Sequence, residues 1–430
     1  MRHPMLLVAA LVTAVHADPL GDALQRSAYP IAVTAGKLEG KGADVLRPAI
    51  TSASFVALGE DHGIAQIPGF AAALCAELAP HGFHRIALEV GPSVAPQLEH
   101  FARDPDGLAQ AAAFTRRYPE TVAFYDWTEE LAFLRACAAA TPTAPLEVWG
   151  IDQELMGATG WLAEHMRASH PGPVATKAID RLAKDAAAAR AIAAKTGDYA
   201  KLYMLAAPQA ALDAAKAALA TDGTPEARAD LDALLASRAI YQGQSGPTPY
   251  LSNRARARLM KATFLDDIGA AAKTDKSDER RTRSTAEGGA KVDDKAFPKV
   301  LVKLGAYHLY RGLNPLHSTE LGNLINEAAE GHRVESANIL IVGKQGTQLH
   351  PAGVGKPPAA AAFALAKDPD MAFLAPFFAA AAPTGWTLFD LRALRPGFRK
   401  LGTVDAEVER AIFGYDFLVI IPDATPSHPL

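Results

Sequence analysis

The 430-residue chain has few cysteines, no dominant charge sign and no long apolar segment. Its two cysteines, Cys75 and Cys137, are too few for a disulfide framework or a cysteine-rich zinc site. The 43 basic and 47 acidic side chains leave a net charge of -4, which argues against an electrostatic nucleic-acid binder. No segment beyond the N-terminus approaches the roughly 20 apolar residues that an integral membrane helix needs.

Several catalytic and ligand-binding motifs are also missing. The chain has no Gly-x-Ser-x-Gly elbow, which disfavours an ordinary serine hydrolase. It also lacks His-Glu-x-x-His, a phosphate loop ending in Gly-Lys-Ser/Thr, and Gly-x-Gly-x-x-Gly. What it does have is 49% hydrophobic and 21% charged residues, a composition typical of a folded globular protein.

The N-terminus has the pattern of a secretory signal peptide. A short basic start precedes an apolar run over residues 5–15, and small residues follow up to Ala17. We therefore predict that residues 1–17 are cleaved off near Ala17 and that the mature chain, residues 18–430, is secreted or periplasmic. Such a compartment permits a disulfide between the two cysteines, and two buried free thiols fit the sequence equally well.

Short apolar segments alternate with helical ones along most of the chain. Strands are predicted over residues 55–59, 85–90, 147–151, 300–304, 338–342, 386–389 and 417–421. The spacing of apolar residues predicts helices over residues 67–78 and 128–140. Apolar strands separated by helices indicate an α/β fold, a mostly parallel sheet with helices on both faces.

Two segments depart from this alternation. Residues 157–270 are Ala-rich with charges at helical spacing, which predicts an inserted all-helical subdomain of four or five helices. This insertion is either a solvated scaffold or a lid that shapes a substrate cleft. Residues 273–299 mix both charges without apolar periodicity, which predicts a flexible loop. The mature chain is thus predicted to be a single interrupted α/β domain.

Ionisable side chains follow four of the predicted strands. Glu60 and His62 follow the first strand, and Glu89 ends the second. Asp152 follows the third strand and His308 the fourth. Because ligands bind where the carboxyl ends of parallel strands share one edge of a sheet, we expect these groups to converge there.

This set of side chains suits hydrolysis. A neutral imidazole can take a proton from water, a carboxylate can orient it, and a second histidine can protonate a leaving group. The same set can instead bind a metal. Structural roles are also open: Glu60 and His62 can cap the next helix, and Glu89 can pair with a basic neighbour. Asp152 can end its strand at a helix cap, and His308 can be structural.

The order of these segments resembles the erythromycin esterase family. The matching segments are Leu-Gly-Glu-Asp-His-Gly at 58–63, Ile-Ala-Leu-Glu at 86–89, Trp-Gly-Ile-Asp at 149–152, Arg-Ala-Arg-Leu-Met at 256–260 and Lys-Leu-Gly-Ala-Tyr-His at 303–308. Together they span most of residues 54–313, with weaker similarity at 388–392. The wider superfamily includes haem-uptake proteins of the ChaN type and metal-dependent Tiki peptidases.

The resemblance implies a hydrolase that cleaves an ester or related bond in a small-molecule substrate and requires no cofactor. His62 would be the general base that activates water. Glu60 and Glu89 would orient His62 or the substrate, and His308 would assist. Arg256 would hold a substrate carboxylate or an oxyanion.

Asp152 and Tyr307 complete the predicted substrate-binding set. Only one residue separates the glutamate and the histidine of the first motif, where erythromycin esterases commonly carry two. This spacing is closer to the ChaN pattern, so a haem- or iron-binding uptake protein with Tyr307 and His308 as axial ligands is the main alternative. A Tiki-like peptidase that uses a divalent metal is the other. Macrolide hydrolysis does not follow from the resemblance.

Overall fold

Strands and helices alternate along the chain and build one sheet covered by helices. The computed structural model describes residues 18–122, 124–244, 246–247, 249–284 and 297–430. The strands are β1 (Ala28–Thr34), β2 (Lys37–Glu39), β3 (Ala53–Glu60), β4 (Arg85–Leu88), β5 (Glu147–Gly150), β6 (Val300–Gly305), β7 (Glu335–His350), β8 (Ala359–Ala364), β9 (Trp386–Asp390) and β10 (Phe417–Ala424).

The α-helices surround this sheet and fill the long connection between β5 and β6. They are α1 (Pro19–Arg26), α2 (Lys41–Ser52), α3 (Gln66–Leu78), α4 (Ala95–Arg103), α5 (Gly107–Arg117), α6 (Thr128–Ala140), α7 (Thr159–Ala168), α8 (Pro173–Thr196), α9 (Tyr203–Ala206), α10 (Gln209–Asp222), α11 (Pro225–Gln244), α12 (Pro249–Ser284), α13 (Leu321–His332), α14 (Ala375–Ala380) and α15 (Ala406–Gly414). None of these helices in the described ranges combines the length and apolarity needed to cross a bilayer.

Ten strands form the sheet within the described residues. Its order is β2-β1-β9-β10-β7-β3-β6-β4-β5, and β8 pairs with β7 outside this path. All neighbours from β10 to β5 are parallel. The pairs of β1 with β2, β1 with β9, β9 with β10, and β7 with β8 are antiparallel. The predicted α/β fold with a mostly parallel sheet is confirmed.

The central strands are apolar because both of their faces are buried. All eight residues of β3 are buried, and its side chains alternate between two cores. Val56 and Leu58 enter the core beneath α3 and α6. Phe55 packs on the opposite face, with Met260 and Phe264 of α12. A strand covered on both sides needs continuous rather than alternating apolar residues.

The observed elements match the predicted ones where burial is greatest. Each of the seven predicted strands corresponds to an observed one, and the predicted helices over 67–78 and 128–140 are α3 and α6. The sequence did not indicate β1, β2 and β8. The first two lie at one edge of the sheet, and β8 is almost entirely alanine, which has low strand propensity.

The segment between β5 and β6 is helical, and part of the predicted loop after it is helical too. Helices α7 to α11 share a small core that includes Leu162, Ile179 and Leu234. The prediction of a flexible loop over 273–299 is wrong for residues 273–284, because α12 continues to Ser284. Asp275 of this helix receives two hydrogen bonds, at 3.0 and 2.6 Å, from the buried Arg85 of β4. Residues 285–296 of the predicted loop and residues 1–17 of the predicted signal peptide lie outside the described residues.

A disulfide joins two of the helices that cover one face of the sheet. Cys75 of α3 and Cys137 of α6 are bonded, with their Cα atoms 5.2 Å apart. Of the two alternatives that the sequence left open, the structure has the disulfide.

Candidate active site

The predicted site residues lie at the carboxyl ends of four adjacent strands. β3, β6, β4 and β5 are consecutive in the sheet. His62 follows β3, and His308 lies in a single turn of 3-10 helix, Ala306–Leu309, directly after β6. Glu89 follows β4 and Asp152 follows β5. The strand order, rather than the chain order, therefore brings these four side chains to one edge.

Glu89 is the centre of this cluster. Its Oε1 accepts a hydrogen bond from Arg256 at 2.7 Å, and its Oε2 accepts one from the backbone N–H of Gly305 at 2.6 Å. The Nε2 atoms of His62 and His308 each lie 3.5 Å from one of its two oxygens. Burial by itself would raise the pKa of Glu89, but His308, Arg256 and His62 outweigh it and hold that pKa well below its ordinary value. Glu89 is therefore an anion between two imidazoles.

Gly305 leaves room for this arrangement. A Cβ atom at this position would lie 3.0 Å from Nε2 of His62 and 3.2 Å from Oε2 of Glu89. Any larger residue would press on both side chains, so only glycine fits where the backbone comes this close to the cluster.

His62 is oriented from two sides. Its Nδ1 lies 2.9 Å from Oε1 of Glu60, and the Phe124 ring stacks on the imidazole with centroids 3.8 Å apart. With Nδ1 held by Glu60, Nε2 is the atom that faces Glu89. Burial by itself would lower the pKa of His62, but the hydrogen bonds to Glu60 and Glu89 prevail and raise it to about 10. At neutral pH this imidazole is a cation.

A buried lysine that sequence analysis missed holds Glu60. Nζ of Lys303, on β6, donates to Oε1 of Glu60 at 2.6 Å and to both oxygens of Glu130 at 2.9 Å. Burial raises the pKa of Glu130 to about 7 even though Lys303 lowers it. A lysine within the otherwise apolar strand Val-Leu-Val-Lys-Leu-Gly is the one feature of the sequence that could have revealed this network.

His308 has a carboxylate at each ring nitrogen. Nδ1 lies 3.2 Å from Oε2 of Glu320 and Nε2 lies 3.5 Å from Oε1 of Glu89. Burial by itself would lower the pKa of His308, but Glu89 and Glu320 outweigh it and raise the pKa to about 9. An axial bond to haem iron would have to replace one of these two contacts. Glu320 had no recognisable pattern in the sequence.

Tyr307 faces a different cavity from the cluster. It lines a cleft of about 770 Å³ together with Leu316 and Phe373. Tyr307 thus lines a different cavity from the one that Glu89, Asp152 and Arg256 line. Among the residues that the structure describes, no group of three or more His, Cys, Asp or Glu side chains is arranged to hold a metal ion.

Arg256 is already paired with two carboxylates. Its Nε donates to Oδ1 of Asp152 at 3.0 Å, and its Nη2 donates to Oδ2 of Asp152 and to Glu89. A guanidinium balanced in this way positions Glu89 rather than offering a free charge to a substrate carboxylate. The capping role that was open for Glu60 and His62 is not observed, since α3 begins at Gln66 with Ala65 as its N-cap.

Comparisons with known proteins show a shared fold. No family model matches the chain, and no curated protein sequence matches it. A solved protein from Bacillus cereus is 15% identical with a TM-score of 0.53, covering 96% of this chain and 98% of its own. A succinoglycan biosynthesis protein is 14% identical with a TM-score of 0.57, covering 96% and 98%.

A third solved structure is a histidine-to-asparagine variant of erythromycin esterase EreC in its open conformation. It is 14% identical with a TM-score of 0.57, covering 93% of this chain and 98% of its own. At this level of identity the likeness concerns the fold.

Proposed function

We propose that the protein is an exported hydrolase that cleaves an ester or related bond in a small-molecule substrate by attack of water. The observation that carries this proposal is Glu89, which lies 3.5 Å from both His62 and His308 at the carboxyl edge of the sheet. The fold shared with erythromycin esterase EreC supports the same class of reaction.

The two histidines supply a base and an acid when one imidazole is neutral and the other is protonated. Both imidazoles are protonated at rest and share Glu89, so they titrate as a pair. Loss of one proton leaves one neutral imidazole beside one imidazolium. We assign the neutral base to His62, because its side chain is 22% exposed while that of His308 is 12% exposed. A water molecule reaches the more exposed ring more readily. The pKa of His62, about 10, lies above that of His308, about 9, so the form with a neutral His62 is the less populated of the two singly charged forms.

The proposed reaction consists of proton transfer from water, attack of hydroxide and loss of the alcohol. Nε2 of His62 takes a proton from water, and the resulting hydroxide attacks the substrate carbonyl. Glu60 accepts the hydrogen bond of Nδ1 and stabilises the imidazolium that forms. The carbon–oxygen bond to the leaving alcohol then breaks, and His308 gives the alcohol its proton. His62 afterwards loses its proton to solvent and His308 takes one up, which restores the starting state. Arg256 and the N–H of Gly305 hold Glu89 in place throughout.

Replacement of His62 tests this proposal. We expect His62→Ala to lower kcat/KM on an active ester by about 100- to 10,000-fold, the usual worth of a general base. The measurement is initial-rate kinetics on a broad panel of esters, with circular dichroism to show retained folding. His81→Ala, which changes an exposed histidine away from the cluster, is the matched control and keeps parental activity. A His62→Ala protein as active as the parent would refute the assignment.

The export part of the proposal rests on the N-terminal sequence. A basic start, an apolar stretch and small residues before Asp18 form the pattern that export machinery reads. The disulfide between α3 and α6 is consistent with an oxidising compartment.

A further inference from the structure

A small cavity opens beside the catalytic cluster. Its volume is about 190 Å³, and the residues that line it include Glu89, Asp152, Arg256, Thr121, Phe124 and Gln153. Whole small-molecule sites usually occupy roughly 300–1,000 Å³. This cavity therefore takes one group of a substrate rather than all of it. We call it the polar pocket.

The charges around the polar pocket disfavour an anionic group. Its cation, Arg256, is engaged by both Asp152 and Glu89. Its guanidinium is therefore not free for an incoming carboxylate or phosphate, which would have to displace Asp152 or Glu89. The group that enters is therefore not the substrate carboxylate that the sequence suggested for Arg256.

Two residues that line the pocket each have a buried side-chain oxygen without a hydrogen bond. Oε1 of Gln153 and Oγ1 of Thr121 have no partner within the described residues. Gln153 is 5% exposed and Thr121 is 2% exposed, so bulk water does not solvate them. An amide oxygen accepts hydrogen bonds, and a hydroxyl both donates and accepts. Hydroxyl groups of a ligand match both oxygens in hydrogen-bonding capacity. Each oxygen is shielded in this structure, so its side chain has to turn before the oxygen faces the pocket.

Phe124 connects the polar pocket to the reacting histidine. One face of its ring stacks on His62, and the same residue lines the pocket. Glu89 likewise belongs to both the cluster and the pocket wall. A group bound in the pocket is therefore adjacent to the bond that His62 would help to cleave.

We propose that the polar pocket binds a neutral, hydroxyl-bearing group of the substrate, such as a polyol or a sugar ring, next to the scissile bond. This inference rests on the proposed hydrolase function and adds the substrate class. A site built to bind hydroxyl groups rejects analogues that lack them, because its buried polar atoms then stay unsatisfied. Gln153 and Thr121 are thus specificity-determining residues.

Two esters of matched size test the substrate class. One is glucose acetylated on its primary hydroxyl, and the other is cyclohexylmethyl acetate, which has the same ring size without hydroxyls. We expect kcat/KM to favour the glucose ester by about 100-fold or more, as for two or more lost hydrogen bonds. Gln153→Leu and Thr121→Val should each reduce this preference by about five- to tenfold, through a lower kcat/KM for the glucose ester.

Thr159→Val is the matched control. Its hydroxyl is also buried and without a partner among the described residues, but Thr159 does not line the polar pocket. This variant should keep the parental preference. Two results would overturn the pocket assignment without affecting the proposed hydrolysis. One is an equal kcat/KM for the two esters, and the other is a change in kcat/KM that is the same for both esters in the variants at Gln153 and Thr121.

A binding measurement separates the two proposals if neither ester is cleaved. Saturation-transfer NMR then measures the binding of methyl glucoside to the parent protein and to the Gln153→Leu variant. Binding that Gln153→Leu weakens supports the polar pocket, and the failed hydrolysis then counts against the reaction alone. Absence of binding to the parent overturns the pocket.

Discussion

Lys303 carries the only charge on a strand that is otherwise apolar, and its side chain is completely shielded from solvent. It forms ion pairs with Glu60 and Glu130, two buried carboxyl groups that would otherwise lie side by side without a cation. Burial by itself would lower the pKa of Lys303, but the two glutamates raise it, so the ammonium group stays charged. Lys303 is a positioning residue, since it acts on His62 through Glu60.

Removal of this charge should destabilise the protein. We expect Lys303→Met to lower the free energy of unfolding by about 3–5 kcal/mol, because it leaves buried carboxylates without their cation. Urea denaturation at neutral pH measures the change. Adding Glu130→Gln should recover part of the loss, and Lys273→Met on the exposed surface of α12 should have little effect. A loss below about 1 kcal/mol for Lys303→Met would contradict the importance of the network.

The raised pKa values of the two histidines predict that activity has its optimum at alkaline pH. Their raised pKa values, about 9 for His308 and about 10 for His62, mean that both are cations at pH 7. Activity needs one neutral imidazole, so kcat/KM should rise as the pair loses its first proton near pH 9. It should fall when the second proton leaves near pH 10, because the acid is then lost. Rates corrected for alkaline hydrolysis of the ester measure this, and a plateau from pH 7 upward would contradict it.

At the scale of elements, strands were easier to predict than connections. β3, β6 and β10 are buried on both faces over most of their length, so their sequences are mainly apolar and predict strands. β8 forms because it pairs with the long β7, and its alanines contain no such information. The end of α12 was missed for a similar reason, since a distant partner, Arg85, anchors Asp275.

The disulfide joins two helices, and we expect its removal to lower the stability of the fold. Cys75 and Cys137 are 62 residues apart in sequence and tie α3 to α6. Replacing both by serine should lower the free energy of unfolding by about 2–5 kcal/mol, since the unfolded chain gains freedom. Denaturant unfolding of the oxidised protein and of the double variant measures the difference. Free thiols titrated in the unreduced, denatured parent would contradict the bridge.

At the scale of the whole molecule, the proposed export has a direct test. The full chain, expressed in a Gram-negative bacterium, should be recovered outside the cytoplasm with Asp18 as its first residue. A chain that begins at Asp18 after a new start codon should stay in the cytoplasm and serves as the control. Recovery of the full chain in the cytoplasm with its N-terminal segment intact would refute export.

The sequence by itself determined seven of the ten strands in the described residues and which ionisable residues follow them. It placed Glu60, His62, Glu89 and His308 at strand ends because local apolar patterns mark where buried strands stop. Only the tertiary structure decided that β3, β6, β4 and β5 are neighbours, so that Glu89 lies between the two histidines. The strand order depends on pairing between distant segments, which a local pattern does not encode.

The charges of the site were likewise decided by the tertiary structure. Arg256 looked free to bind a substrate anion, yet it is paired with Asp152 and Glu89, because α12 crosses the ends of β4 and β5. Lys303 and Glu130 are 173 residues apart in the chain and meet only in the folded core. Burial and pairing set the charge of an ionisable group, and both depend on residues far away in sequence. The residue types were therefore readable from the chain, whereas their electrostatic roles were not.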